Sequence, residues 1–153
     1  MAATNLDTDI YTGDVRVLEL TIKDDADVAI DISAATGSDI YYVLQEAKDS
    51  TTNHTYYDLS SGIAFKTAGT DGVIQITVAA AATSSINASA GDLSYFHQCV
   101  VELNNEPEVS MEGTVTLKHR LTQVTNIDIT EDDDSVVAED ITVDLPVGSF
   151  TVT

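Results

Sequence analysis

The chain holds a single cysteine, Cys99, so no disulfide can close within it. It has no tryptophan and two prolines, and aromatic residues make up only 6% of it. No apolar run approaches the ~20 residues that a helix needs to cross a bilayer. The blandest stretch, Val78–Ala82, is short and mostly alanine. Met1–Asp7 offers neither a basic nor an apolar segment, so a Sec-type signal peptide is not expected. Positive charge is the scarcest feature: six Lys and Arg stand against 26 Asp and Glu, for a formal net charge of −20. Binding a phosphate backbone takes clustered cations that release counterions, and attraction to an anionic membrane takes the same clusters. The expected partners therefore include neither nucleic acid nor membrane.

What is present points to a folded, acidic domain. Hydrophobic residues make up 43% of the chain and alternate with polar ones, which excludes an acidic disordered tail. The acids cluster only at Asp24-Asp25-Ala26-Asp27 and Glu131-Asp132-Asp133-Asp134. In dilute buffer such a domain repels itself. At molar salt the Debye length falls to ~3 Å and the repulsion largely vanishes, as does the benefit of surface ion pairs. An acidic surface with only Lys23, Lys48, Lys66 and Lys118 as lysines is the pattern of a salt-adapted protein. A length of 153 residues fits one domain plus an extension. A domain near this size buries roughly 68–70% of its unfolded surface and needs no disulfide or metal.

The apolar period is two, the mark of β-strands. Leu18, Leu20 and Ile22 alternate with Glu19, Thr21 and Lys23, and Val28, Ile30 and Ile32 repeat the pattern. The aspartates between them predict a hairpin. Further strands are predicted at Ile40–Glu46, His54–Leu59, Ile63–Phe65 and Val73–Val78, the last announced by Asp71-Gly72. Ala79–Asn87 predicts a single helical turn that carries the chain from one sheet to the other. Leu93–Leu103 and Val109–Leu121 form a long hairpin about Asn104-Asn105-Glu106-Pro107. The expectation is an all-β, antiparallel sandwich over 13–121, with an N-terminal arm over 1–12. Residues 122–153 form an acidic β-rich extension with too few strands for a core of its own. That extension either folds onto its own domain or serves as an arm between subunits, and both arrangements favour a homo-oligomer.

Catalytic chemistry finds little to work with. A Ser-His-Asp site needs a placed histidine, and there are three: His54, His97 and His119. No Gly-x-Ser-x-Gly elbow and no phosphate-binding glycine loop occurs. His97 and Cys99 share a strand face, but His119 lies too far along the hairpin to complete a metal site. Cys99 reads as a small buried hydrophobe, and His97 as a strand residue at an edge or subunit contact. The aspartate clusters match no EF-hand loop and read as solvated turns. The pairs Tyr41-Tyr42 and Tyr56-Tyr57 place one ring on each face of a strand, one inward and one free for a contact. No catalytic, cofactor-binding or metal residues are expected.

The motifs also follow a recognisable order. Gly13-Asp14 leads into Leu18, Leu20 and Ile22, and Ile30-Asp31-Ile32-Ser33-Ala34-Ala35-Thr36 follows. Ile40-Tyr41-Tyr42-Val43-Leu44 comes next, then Asp71-Gly72-Val73-Ile74-Gln75-Ile76 and Ala90-Gly91-Asp92-Leu93-Ser94-Tyr95. The closing strand carries Met111-Glu112-Gly113-Thr114-Val115-Thr116-Leu117. From Gly13 to Leu121 this series resembles the immunoglobulin-like sandwich domains of tailed-virus structural proteins, including the N-terminal domain of baseplate upper proteins. The glycine-to-tyrosine spacing around Gly91 and Tyr95 is longer here than in that family. The resemblance implies an immunoglobulin-like β-sandwich without catalytic residues. It further implies a virion structural protein (capsid decoration, neck or baseplate) that assembles with copies of itself and other virion proteins. With the acidity, it implies a virus of salt-loving archaea and a place on the virion exterior, the chain being made in the host cytoplasm. The alternative is a glycan- or receptor-binding module on a virus or cell surface.

Overall fold

In the computed structural model, residues 3–120 and the strands Thr142–Leu145 and Gly148–Thr151 are described. The first unit spans Met1–Arg120 and the second Leu121–Thr153. Within the first, β1 (Thr4–Asn5), β2 (Thr8–Tyr11), β4 (Ile40–Gln45), β5 (Thr55–Asp58), β8 (Leu93–Leu103) and β9 (Glu106–Lys118) make one sheet. Strands β3 (Arg16–Thr21), β7 (Val73–Val78) and β6 (Ile63–Phe65) make the other, in that order. The helical turn α1 (Ala80–Thr83) links β7 to β8 and so passes from one sheet to the other, as the alanines predict. The second unit's described part is the antiparallel hairpin of β10 (Thr142–Leu145) and β11 (Gly148–Thr151).

This is an immunoglobulin-like sandwich. Strands β5, β4, β8 and β9 stand as C′, C, F and G, and β3, β7 and β6 as B, E and D. Where such domains carry a buried Trp on strand C against a B–F disulfide, this chain has Tyr42 on β4, opposite Cys99 of β8. Both are fully buried, and aliphatic side chains on β3, Leu18 and Leu20, face the core in place of a second cysteine.

The alternation read in the sequence sets the inward faces. Leu18 and Leu20, Ile40, Tyr42 and Leu44, Ile74, Ile76 and Val78, and Met111, Val115 and Leu117 are all buried. The β8–β9 loop is shorter than the four residues expected. Leu103 already pairs with Glu106, and Asn104 and Asn105 alone make the turn, at φ 58° and 61°. A two-residue loop makes its closing pair a hydrogen-bonded one, so the next pair, Glu102–Pro107, is non-bonded. The proline therefore sits inside the strand with its missing N–H turned away from β8. Val28–Ile32 forms no strand. It folds back through a single bridge, Lys23–Ala29, and leaves Val28 59% exposed. Asp24 closes that turn by accepting from the N–H groups of Ala26 and Val28, both at 2.9 Å.

Two features of the N-terminal residues differ from the expected arm and from a purely antiparallel sheet. Residues 4–11 are part of the sandwich, and they pair with β9 in parallel: Thr4 with Met111, and Thr8 to Tyr11 with Val115 to Lys118. Between those pairings the chain crosses Gly113. A Cβ built on Gly113 would run into the Leu6 carbonyl oxygen, so only glycine admits this approach. Gly113→Ala is therefore expected to cost about 1–3 kcal/mol through overpacking. Thermal unfolding measures the loss, and an unchanged midpoint would show that the crossing readily shifts aside.

Candidate functional site

His97 is the one histidine in the core. It was expected at an edge or subunit contact, but β8 runs between β4 and β9, and the ring has no exposed surface. Its Nε2 lies 2.6 Å from the Leu6 carbonyl oxygen, which can only accept, so Nε2 carries the hydrogen. In the neutral ring Nδ1 then holds the lone pair and accepts from the Tyr42 hydroxyl at 3.1 Å. The Tyr42 ring meets it edge-on at 5.7 Å. In the β8–β9 register His97 lies opposite Gly113, whose missing side chain leaves room for Leu6. Burial pushes the His97 pKa below its ordinary 6.5, opposed by the hydrogen bond to Leu6 and the charge of Asp7. Two satisfied ring nitrogens in the interior make this a structural clasp on the N-terminal strand.

The other sequence candidates do not gather around it. His54 is exposed and donates Nε2–H to the Ala82 carbonyl at 2.8 Å, with its ring against Tyr95. His119 is exposed just past β9. Cys99 pairs with Met111 across the hairpin and is buried, as expected, and burial pushes its thiol up to about 11. Beside it the register shifts by one residue: Val100 pairs with Val109, which leaves Ser110 as a bulge. The Ser110 hydroxyl donates to the Cys99 carbonyl at 3.2 Å. Among the described residues no three His, Cys, Asp or Glu are placed to hold a metal ion. The Asp24–Asp27 cluster is a turn, and Glu131–Asp134 lies outside the described residues.

The tyrosine pairs divide between faces as their sequence requires. Tyr42 and Tyr57 stack toward the core at 6.2 Å, and the Tyr57 hydroxyl accepts from the Ala79 N–H. Tyr41 and Tyr56 stack on the outer face at 5.7 Å, with Tyr56 43% exposed. Val43 and Val100 are buried yet stand apart from the core cluster, on the outer side of the same sheet. Lys48 lies over the Phe96 ring at 5.4 Å and pairs with Glu112. The outer face thus carries an aromatic and aliphatic band.

No family model and no curated protein matches the chain. Among solved structures, an extracellular fragment of novel immune-type receptor 11 from Ictalurus punctatus, including its stalk region, is similar at 8% identity. The match covers 89% of this chain and 97% of that one, with a TM-score of 0.32. The immunoglobulin-like assignment rests on the strand order itself.

The clasp has a pH signature. A histidine whose pKa is depressed on folding contributes stability that is present above its unfolded value, near 6.5, and is lost as pH falls toward the folded value. Wild type should therefore lose stability on acidification below about 6.5 relative to His97→Gln, which keeps hydrogen-bonding capacity but does not titrate. Urea unfolding at a series of pH values gives the difference. Parallel curves for the two proteins would refute the assignment.

Proposed function

We propose that this protein is a non-enzymatic structural component of a tailed-virus particle, in capsid decoration, neck or baseplate, acting through protein–protein assembly at high salt. The observation that carries the reading is where the charge sits. No Asp, Glu, Lys or Arg is buried among residues 3–120, so every acid there lies at the surface. Five of the six cations are already paired with carboxylates: Lys23, Lys48, Lys66, Lys118 and Arg120. Residues 121–153 add acids and no Lys or Arg. Such a surface keeps copies apart in dilute buffer and lets them meet once salt screens it. In this reading the residues beyond 121 add contacts between copies, and the particle's exterior is where the acidic surface faces solvent. The motif order shared with tailed-virus sandwich domains supplies the rest of the support.

Light scattering after size exclusion, with thermal unfolding, tests the reading on the full chain. From dilute buffer to molar KCl the unfolding midpoint should rise by about 10 °C or more, and the monomer should give way to a defined oligomer. A stable monomer in both buffers would overturn the assembly role.

The stacked Tyr41 and Tyr56 rings favour a second reading, a glycan- or receptor-binding module, because sugar rings stack on exposed aromatic faces. Under it, Tyr56→Ala abolishes retention on a glycan array while the fold persists. Under the assembly reading the wild type is not retained at all.

A further inference from the structure

Among the described residues the sandwich has four strand edges without a partner: the β1–β2 edge and β5 on one sheet, β3 and β6 on the other. Natural sheets blunt such edges with charge, proline, bulges or shortness. The first carries Asp7 and Asp9; β5 is four residues long and ends in Asp58; β6 is three residues long. Strand β3 has no proline, bulge or shortness to protect it, and its two charges are of opposite sign. It is six residues long and pairs with β7 without a bulge. Its one carboxylate, Glu19, is held by Lys66 at 2.9 Å, and Arg16 balances it.

The hydrogen-bond phase shows which groups stand open. Ile22 donates to the Gly72 carbonyl, whereas Thr77 donates to Gly62 and Lys66 to Val73, on the β6 side. In an antiparallel ladder the bonding direction alternates residue by residue. Residues 16, 18 and 20 therefore bond β7, while Val17, Glu19 and Thr21 aim N–H and C=O at the open side. Among the described residues no loop or other strand bonds those three. The side chains alongside are apolar and exposed: Tyr11 50%, Val15 61% and Val17 51%.

We infer that the β3 edge pairs antiparallel with the β3 edge of a second copy of this chain, joining two three-stranded sheets into one of six. This deepens the assembly reading and rests on it only for copies meeting at all. The occupant follows from charge. In a chain of net charge −20, the stretch Val15–Thr21 is neutral, so two copies repel least when they approach through it. The phase requires a two-fold axis centred on a residue, and charge chooses among them. A two-fold axis at Leu18 sets Val17 opposite Glu19 and Val15 opposite Thr21, so that every open group on one copy meets an open group on the other. An axis at Glu19 would set two carboxylates face to face.

The test uses full-length protein in molar KCl. Val17→Pro, at an exposed position whose N–H faces the open side, should leave the circular dichroism spectrum unchanged and weaken self-association by at least about tenfold in sedimentation equilibrium. An equimolar mixture of Val17→Cys and Glu19→Cys chains should form a disulfide-linked dimer on mild oxidation, in higher yield than either chain alone. Buried Cys99 does not compete. If wild type assembles while Val17→Pro assembles equally and the mixture does not cross-link, this edge is wrong and the assembly reading stands. A wild type that stays monomeric at high salt overturns both, including the case in which a different protein's strand occupies the edge.

Discussion

The β8–β9 hairpin is the constraint on which the rest of the sandwich depends. Strand β9 gives one edge to β8 and the other to the N-terminal strands, and β8 passes the sheet on to β4 and β5. Its register is set by two residues, Asn104 and Asn105, whose left-handed conformations make a turn that matches the twist of the strands. Because the side-chain period is two, a slip of one residue would send His97, Cys99 and Val101 outward and bring Gln98 and Glu102 into the core. The Ser110 bulge makes one such correction deliberately. It buries a small hydroxyl that finds the Cys99 carbonyl, while Val100 and Val109 stay together on the outer face.

With the hairpin fixed, the N-terminal strand has one way to lie. Gly113 leaves a gap opposite His97, Leu6 passes over it, and the imidazole takes the Leu6 carbonyl. Asp7 then replaces a missing ladder bond by accepting from the Thr114 N–H at 2.8 Å. A buried polar group without a partner costs about 1–3 kcal/mol. Here the histidine, the tyrosine hydroxyl and the strand satisfy one another, and no buried side-chain polar atom among the described residues is left without a partner.

Most of the sandwich was legible because its strands announce themselves locally. Val73–Val78 is bounded by Asp71-Gly72, and Gly72 takes φ 71° where the Ile22 and Ile30 carbonyls leave no space for a Cβ. The clasp was not legible. Its partners lie 55 and 91 residues from His97, and residues 4–11 offer only Leu6, Ile10 and Tyr11 as apolar signals. A parallel pairing between the two ends of a domain leaves no periodic trace in either segment. Val28–Ile32 misleads in the opposite sense. Its alternation is that of a strand, but it extends past the sheet, so Ile32 is buried while Val28 is in water.

The acids have a second role that composition alone conceals. Asp31 accepts from the Ser33 N–H, Asp39 from Thr36, Asp58 from Ser60 and Ser61, and Asp71 from Val73. In each case a carboxylate closes a turn that a serine or asparagine could close without charge. Hydrogen bonds hold the Asp31 and Asp71 carboxyls below their ordinary value, from Ser33 in the first and from Thr67 and then Val73 in the second. These aspartates do local structural work at any ionic strength, so they add to the net charge without being evidence of salt adaptation. The proposed salt adaptation rests instead on the shortage of lysine and on the acids that close no turn.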